Sequence, residues 1–206
     1  MELNFGLYSW YPTNHHSCSN HLPSVAITMC SAFLYQALQR GSGEFRVLDL
    51  HPGPFQSNIS CSIRKISLET KPQYEALSYT WGNPRHLKWI SIGEFDHPIT
   101  ASLELALQYL RNQNSARTLW ADAICINQMD PEERSHQVEQ MRAIYQSAST
   151  VLVWLGPHRD ASEFALKVIE DLAQPLLSGT PGLAIPIGYL DLNAIEPVSR
   201  LLYRPY

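Results

Sequence analysis

Charged residues of either sign are scarce in this sequence. Only 17% of the 206 residues are charged, and 15 basic against 19 acidic residues give a formal net charge of −4. Proteins that bind nucleic acid or anionic membrane surfaces usually carry a dense basic patch, which this balance does not provide. We therefore expect neither nucleic acid nor a membrane among the partners.

Cysteine and long apolar runs are scarce as well. The four cysteines form no Cys-x-x-Cys pair, which argues against a disulfide scaffold and favours free thiols in a reducing compartment. The apolar run at 25–33 is shorter than the ~20 residues that span a bilayer, and no basic stretch precedes it. His15, His16, Cys18 and His21 fit no closed metal-ligand spacing. We expect a cytoplasmic protein without a metal.

The common catalytic motifs are missing too. The sequence contains no P-loop and no Gly-x-Gly-x-x-Gly, and Ser78 lies in no Gly-x-Ser-x-Gly elbow. Cys125 follows an apolar run with no histidine motif beside it, which is typical of a core thiol rather than a nucleophile. The sequence therefore predicts no cofactor, and no catalytic residue can be named.

The first half of the chain reads as β-structure behind a variable N-terminal extension, residues 1–43. Alternating or β-branched segments bounded by Gly, Pro and Asn predict strands at 44–50, 58–66 and 74–81, followed by a hairpin with strands at 88–92 and 95–99. The pattern then becomes helical. Thr100 is a suitable N-cap, and one apolar stripe follows it, formed by Leu103, Ala106, Leu107 and Leu110.

The second half alternates strands and helices. Residues 118–126 are apolar on both faces, which favours a central strand, and 151–155 predict a second buried strand. Between them, Asp130, Pro131 and Glu133 have the spacing of a capped helix start, with Glu133 completing a capping box. We expect an α/β fold with a largely parallel central sheet, in which these two strands are neighbours bridged by a helix. The earlier strands and the hairpin are additions to that core.

Three motifs carry a family resemblance: YEALSYTWG at 74–82, LWADAICINQ at 119–128 and VLVWLG at 151–156. In this order and spacing, with the lead-in EFRVLDLHPG from residue 44, they resemble the fungal heterokaryon incompatibility (HET) domain. The resemblance implies one HET-like domain over 44–206. It also implies truncation at the C-terminus, because family members continue past the Arg-Pro-aromatic step. The family is remotely similar to Toll/interleukin-1 receptor (TIR) domains, which implies a flavodoxin-like core.

The resemblance implies a role in fungal non-self recognition and programmed cell death, exerted through protein partners or self-association. Two alternatives stay open. One is a TIR-like hydrolase that cleaves NAD(P), for which Glu163 and Glu170 are positional candidates outside any matched motif. The other is an inert truncated paralogue. Enzymatic activity is therefore left uncertain, and a nucleotide is a possible ligand.

A candidate cleft follows from the parallel-sheet expectation, because ligands bind beyond the carboxyl ends of such strands. The polar residues at those ends, with the aromatic residue and glycine that close 74–81, are Trp81, Gly82, Asp122, Asn127, Gln128, Glu133 and Arg134. Asn127 and Gln128 have amides suited to a ribose or an amide, and Asp122 can orient them.

Each of these side chains also has a structural interpretation. Asp122 and Asn127 can satisfy backbone groups of the turn. Glu133 can act as a helix cap, and Arg134 can pair with Asp130 or Glu133 at the surface. The sequence alone does not decide between a binding site and a scaffold.

Overall fold

A computed structural model describes residues 34–158, 162–177 and 199–200, without the side chains of 172–177. The chain divides into two compact units, residues 1–154 and residues 155–206. The histidines and Cys18 near the N-terminus lie outside the described residues. No helix in the described ranges combines the length and apolarity needed to cross a membrane.

The first unit is built on a seven-stranded mixed sheet in the order β5-β4-β2-β1-β6-β3-β7. Its strands are β1 (Glu44–Leu50), β2 (Ser60–Ser67), β3 (Glu75–Ser78), β4 (Leu87–Ile92), β5 (Phe95–Thr100), β6 (Arg117–Trp120) and β7 (Thr150–Val153). Parallel pairing joins β6, β3 and β7 side by side and also joins β2 to β4. The other pairs, β1–β2, β1–β6 and β4–β5, are antiparallel.

The expectation of a largely parallel sheet was therefore wrong, although the α/β class is confirmed. The early strands do not form a separate addition. β1 is hydrogen-bonded antiparallel to β6 through Leu48↔Leu119, so it lies inside the same sheet. Strand pairing depends on tertiary packing, and the alternation within one strand carries no information about its neighbour.

The hairpin and the first helix agree with the sequence. β4 and β5 turn around Gly93, which has a φ of +60°, a backbone conformation suited to glycine. The Thr100 side chain accepts a hydrogen bond from the N–H of Leu103 and caps α1 (Ala101–Leu110). Leu103 and Leu107 are fully buried in the core against the sheet residues.

The run at 118–126 is not one strand. β6 ends at Trp120, and Asp122–Cys125 form a short helical turn, α2. Ile124 and Cys125 are fully buried in that turn. A continuous apolar run is compatible with a buried strand or a buried helical turn, so periodicity cannot separate the two.

The proposed neighbours β6 and β7 are not adjacent. β3 lies between them, paired through Ala76 to Trp120 on one side and to Val151 on the other. β7 is also not a buried strand, since it is the last strand of the sheet order and Val151 and Val153 are 45% and 63% exposed. No local pattern indicates that an earlier strand inserts between the two.

The long helix α3 (Pro131–Ser147) starts as expected. Asp130 accepts hydrogen bonds from the N–H groups of Glu132 and Glu133, and Pro131 opens the helix. Along this helix, Ile144 is fully buried, while Val138 is exposed. Tyr145 packs edge-on against Trp120 with ring centroids 5.2 Å apart. The second unit contains the helix α4 (Ser162–Leu177).

Candidate functional site

The carboxyl ends of β6 and β3 meet through a direct side-chain contact. The chain leaves β3 at Ser78 and β6 at Trp120. Just beyond these ends, the indole Nε1 of Trp81 donates a 2.9 Å hydrogen bond to Oδ2 of Asp122. Because β3 and β6 are parallel neighbours, their loops leave the same edge of the sheet. Two of the three motifs are therefore joined at one point.

The Asp122 carboxylate is held by donors rather than by a cation. Its second oxygen, Oδ1, accepts a 2.8 Å bond from the N–H of Ala123. Burial raises the pKa of Asp122 above its usual value, while the bonds from Trp81 and from Ala123 oppose that rise. The nearby Tyr79 has a pKa well above its usual value, first because it is buried and second because of the Asp122 charge. This is a rigid, desolvated carboxylate.

Gly82 lies tight against the start of α1. Its φ is +74°, and a Cβ added there would lie 2.9 Å from the Cβ of Ser102. The hydroxyl of Ser102 donates a 2.7 Å bond to the carbonyl of Thr80. The residue type at Gly82 is therefore required both by its backbone conformation and by this close approach.

The Asn-Gln turn is tied down by its own hydrogen bonds. Nε2 of Gln128 donates to the backbone carbonyl of Asp122 at 3.0 Å, so the Gln128 side chain contacts the backbone of Asp122 rather than its carboxylate. The side-chain oxygen of Asn127 accepts from the N–H of Met129 at 3.1 Å, which is the local turn bond expected of asparagine. Both amides contribute to the shape of the turn.

Glu133 forms a buried ion pair that the sequence did not indicate. Its Oε1 lies 2.6 Å from Nη1 of Arg46, and the two side chains are 11% and 1% exposed. Oε1 also accepts a 2.7 Å bond from the N–H of Asn127. The expected capping box is thus wrong in its second half: Asp130 caps the helix, but Glu133 points to β1 and to the turn instead. The buried guanidinium of Arg46 carries a full positive charge, so it attracts the Glu133 carboxylate more strongly than a neutral backbone N–H does.

Arg46 connects the turn with the segment before β1. Its Nη1 donates to the carbonyl of Cys125 at 3.3 Å, its Nη2 donates to that of Gln36 at 2.6 Å, and its guanidinium lies 5.0 Å from the centre of the Tyr35 ring. The hydroxyl of Tyr35 donates to the carbonyl of Ile124. Arg46 was not among the predicted site residues, because an arginine in a strand normally predicts a solvent-facing position. Tyr35 and Gln36 were not predicted either, because they lie in the range that was interpreted as a variable extension.

Arg134 takes part in neither expected ion pair. Glu133 is already bound to Arg46, and Asp130 uses its carboxylate to cap α3. Within the part of the chain that the structure describes, no salt bridge involves Arg134. Six of the seven candidates therefore form two groups: Trp81, Gly82, Asp122 and Gln128 at the strand ends, and Asn127 with Glu133 at the Arg46 pair. Arg134 belongs to neither group.

The remaining chemical candidates are structural in their surroundings. Cys125 is fully buried, and burial raises the pKa of its thiol to about 12, so it stays protonated and unreactive. Glu163 and Glu170 are exposed on α4, next to His158 and Lys167 respectively. Among the described residues, no group of three or more His, Cys, Asp or Glu could hold a metal ion.

Comparison with known proteins covers the seven candidate residues. The family model described as heterokaryon incompatibility protein (HET) matches residues 74–181. A Neurospora crassa protein named heterokaryon incompatibility protein 6, OR allele, is 39% identical over 175 residues, which cover 77% of this chain and 26% of that protein. The chain thus spans about a quarter of the relative's length. No solved structure matches the chain. Since the matched range contains the three motifs and more than half of the residues, this chain belongs to the heterokaryon incompatibility (HET) family.

Proposed function

We propose that the chain is a cytoplasmic signalling domain of fungal non-self recognition, which triggers cell death through association with protein partners. The observation that carries the proposal is the Trp81–Asp122 hydrogen bond, because it joins two of the family's motifs at one edge of the sheet. The surrounding hydrogen bonds hold Trp81 and Asp122 in a fixed arrangement. They offer no nucleophile with a base beside it, which a hydrolytic site would need.

Family membership supports the same proposal. The Neurospora crassa relative is named as an incompatibility protein. The range matched by the family model, residues 74–181, contains all seven candidate residues. The relative is much longer than this chain, so its full activity is attributed to this chain as a hypothesis only. Association rather than turnover is favoured because the two amides of the turn and the carboxylate of Glu133 are all used in internal bonds.

Inducible expression in a filamentous fungus tests this function. We expect growth arrest and loss of viability when the chain is expressed from its complete reading frame. The matched control is Leu48→Asp, which places a charge in a fully buried position and prevents folding. Equal toxicity of both proteins would indicate a burden of expression, and normal growth with folded, detectable wild-type protein would contradict the proposal.

An NAD-cleaving activity is the second candidate. The observation in its favour is the row of three parallel strands, β6-β3-β7, whose common carboxyl edge is where nucleotides bind in open α/β sheets. Incubation of the purified protein with NAD, followed by measurement of released nicotinamide, tests it. Release that Asp122→Asn abolishes in a folded variant would favour this candidate over the first, and no release beside an active TIR control would remove it.

A further inference from the structure

The segment that leads from Gly82 into β4 is unusually open. Seven consecutive residues, 83–89, are exposed. They include two large apolar side chains, Leu87 and Trp89, which are 50% and 56% exposed. Because they are two positions apart in a strand, these side chains point to the same face and form one apolar patch. Single exposed apolar residues are ordinary, but an adjacent pair that includes a tryptophan is typical of a contact surface.

The backbone of this segment is open on one side as well. β2 pairs with β4 only at Ser60↔Ser91 and Cys61↔Ile92, and the N–H of Ser91 donates to the carbonyl of Ile59 at 2.9 Å. Backbone groups of a strand alternate in direction, so those of Leu87 and Trp89 point to the same side as those of Ser91. Over the residues that the structure describes, no strand covers Leu87–Trp89 there.

The charge around this open edge is positive. Arg85 and Lys88 are both exposed, and no salt bridge joins either of them to a carboxylate within the described ranges. By contrast, Arg64 on β2 and Arg117 on β6 are paired with acidic residues. The whole chain has a formal net charge of −4, so this cationic edge is a local exception.

We propose that Leu87–Trp89, together with Arg85, binds an extended segment of a partner protein as an added strand. In the partner's segment, acidic residues alternate with apolar ones. The alternation follows from the edge itself, which presents apolar Leu87 and Trp89 on one face and Lys88 on the other. Main-chain bonds would supply affinity, and the two faces would supply specificity. The inference rests on the proposed signalling function, since it names the chemistry of the partner.

Other occupants fit this edge less well. A second copy pairing through the same edge would bring Lys88 close to its own counterpart, which is unfavourable. Single-stranded nucleic acid needs a row of cations along a groove, whereas this hairpin also carries Glu94 and Asp96. Two apolar side chains are too few to anchor a protein to a membrane. These occupants are outcomes of the test below.

A labelled peptide of about a dozen residues tests the inference, with glutamate alternating with leucine and tryptophan as in strand-addition ligands. We expect saturable binding in fluorescence anisotropy that weakens as salt is added. Two control peptides separate the causes: one carries glutamine for glutamate, and one has the same composition with its acidic residues grouped together. Each should bind at least about tenfold more weakly, a difference of one decade in Kd. Equal binding of all three, or no binding of the alternating peptide, would overturn the inference.

Variants locate the binding at β4. Lys88→Glu should weaken binding of the alternating peptide by about tenfold or more, whereas Arg142→Glu, the same charge reversal on the exposed face of α3, should leave it unchanged. Trp89→Ser removes the side chain, and Trp89→Pro also removes the outward N–H, so the proline variant should bind more weakly than the serine variant. Circular dichroism confirms that each variant is folded. Wild-type affinity in folded Lys88→Glu would contradict the proposal.

Three further measurements decide among the occupants. The inference would be overturned if a single-stranded oligonucleotide or an anionic phosphatidylserine vesicle bound more tightly than the peptide. It would also be overturned if sedimentation showed a dimer that Lys88→Glu changes. The growth assay separates the two proposals. If expression kills but the peptide does not bind, the docking inference fails alone. If the peptide binds and expression has no effect, the proposed function fails and the edge remains a protein-binding surface.

Discussion

At the scale of single residues, the neighbours Glu132 and Glu133 form a natural comparison. Both pair with an arginine, but the Arg40–Glu132 pair is 71% and 77% exposed, while the Arg46–Glu133 pair is 1% and 11% exposed. An exposed pair contributes little to stability, whereas removal of one partner from a buried pair leaves an uncompensated charge in the interior.

Glu133→Ala is therefore expected to lower the free energy of unfolding by about 3–5 kcal/mol, against less than about 1 kcal/mol for Glu132→Ala. Urea denaturation of the two variants and the wild-type protein measures both changes. Similar losses for the two substitutions would show that the Arg46 pair is not buried in the way described. Such a result would also remove the link between β1 and the Asn-Gln turn.

The Trp81–Asp122 bond makes a prediction about pH. Burial raises the pKa of Asp122 in the folded protein, so the native state binds this proton more readily than the unfolded chain does. The contribution of Asp122 to stability therefore falls as the pH rises above the pKa that Asp122 has in the unfolded chain. Trp81→Phe removes a donor to the charged form, with an expected loss of about 1.5–3 kcal/mol at neutral pH. The loss should shrink as pH falls and Asp122 becomes protonated.

Denaturant unfolding at several pH values checks this, with Trp81→Phe compared in the wild-type and the Asp122→Asn background. In the second background no carboxylate is present, so the effect of Trp81→Phe should depend little on pH. A loss that is independent of pH in both backgrounds would mean that the indole stabilises the fold by packing alone.

At the scale of elements, the contact between the β3–β4 connection and α1 depends on Gly82. Gly82→Ala combines a left-handed backbone with a Cβ 2.9 Å from that of Ser102, whereas Gly93→Ala has the same kind of backbone with nothing within 4 Å. We expect Gly93→Ala to cost about 1–2 kcal/mol from backbone strain alone and Gly82→Ala to cost clearly more. Thermal unfolding of both variants gives the difference.

Equal losses for the two glycines would show that the β3–β4 connection moves freely away from α1. The single variant Ser102→Gly and its double variant with Gly82→Ala add a control. Ser102→Gly removes the Cβ that the alanine meets, so Gly82→Ala should cost about as much in that background as Gly93→Ala costs in the wild-type protein. A larger cost in that background would place the strain elsewhere in the loop.

Local signals in the sequence were sufficient for most elements but not for their arrangement. The hairpin around Gly93 and the caps at Thr100 and Asp130 depend on residues close together in the chain, and all three were predicted correctly. The end of β6 at Trp120 was not, because the apolar run, interrupted only by Asp122, continues into a buried helical turn. The position of β3 between β6 and β7 is a long-range pairing that no local pattern encodes.

The same division holds for the candidate site. The motifs identified Trp81 and Asp122, and the structure brings them into contact. Arg46, the residue that binds Glu133, could not be found in this way. Its partner is 87 positions away in the chain, and the strand pattern around it is equally consistent with a solvent-facing arginine.

At the scale of the whole molecule, two surfaces of the first unit have different characters. The edge formed by β6, β3 and β7 carries the motif residues in a fixed hydrogen-bonded arrangement. The open half of β4 carries unpaired backbone groups with apolar and basic side chains. The connection from Trp81 through residues 83–86 joins the two along the chain, while β2 and β1 lie between β4 and β6 in the sheet.

We propose that the Asp122 carboxylate, held by the Trp81 indole, belongs to the surface through which the domain causes cell death. The most direct measurement is viability of a filamentous fungus during induced expression of wild-type protein, Asp122→Asn and the exposed control Glu139→Gln at matched levels. Asp122→Asn keeps an oxygen for the Trp81 indole, so it should fold. We expect wild-type protein and Glu139→Gln to kill the fungus, whereas folded Asp122→Asn should leave it viable. Undiminished killing by folded Asp122→Asn would contradict it.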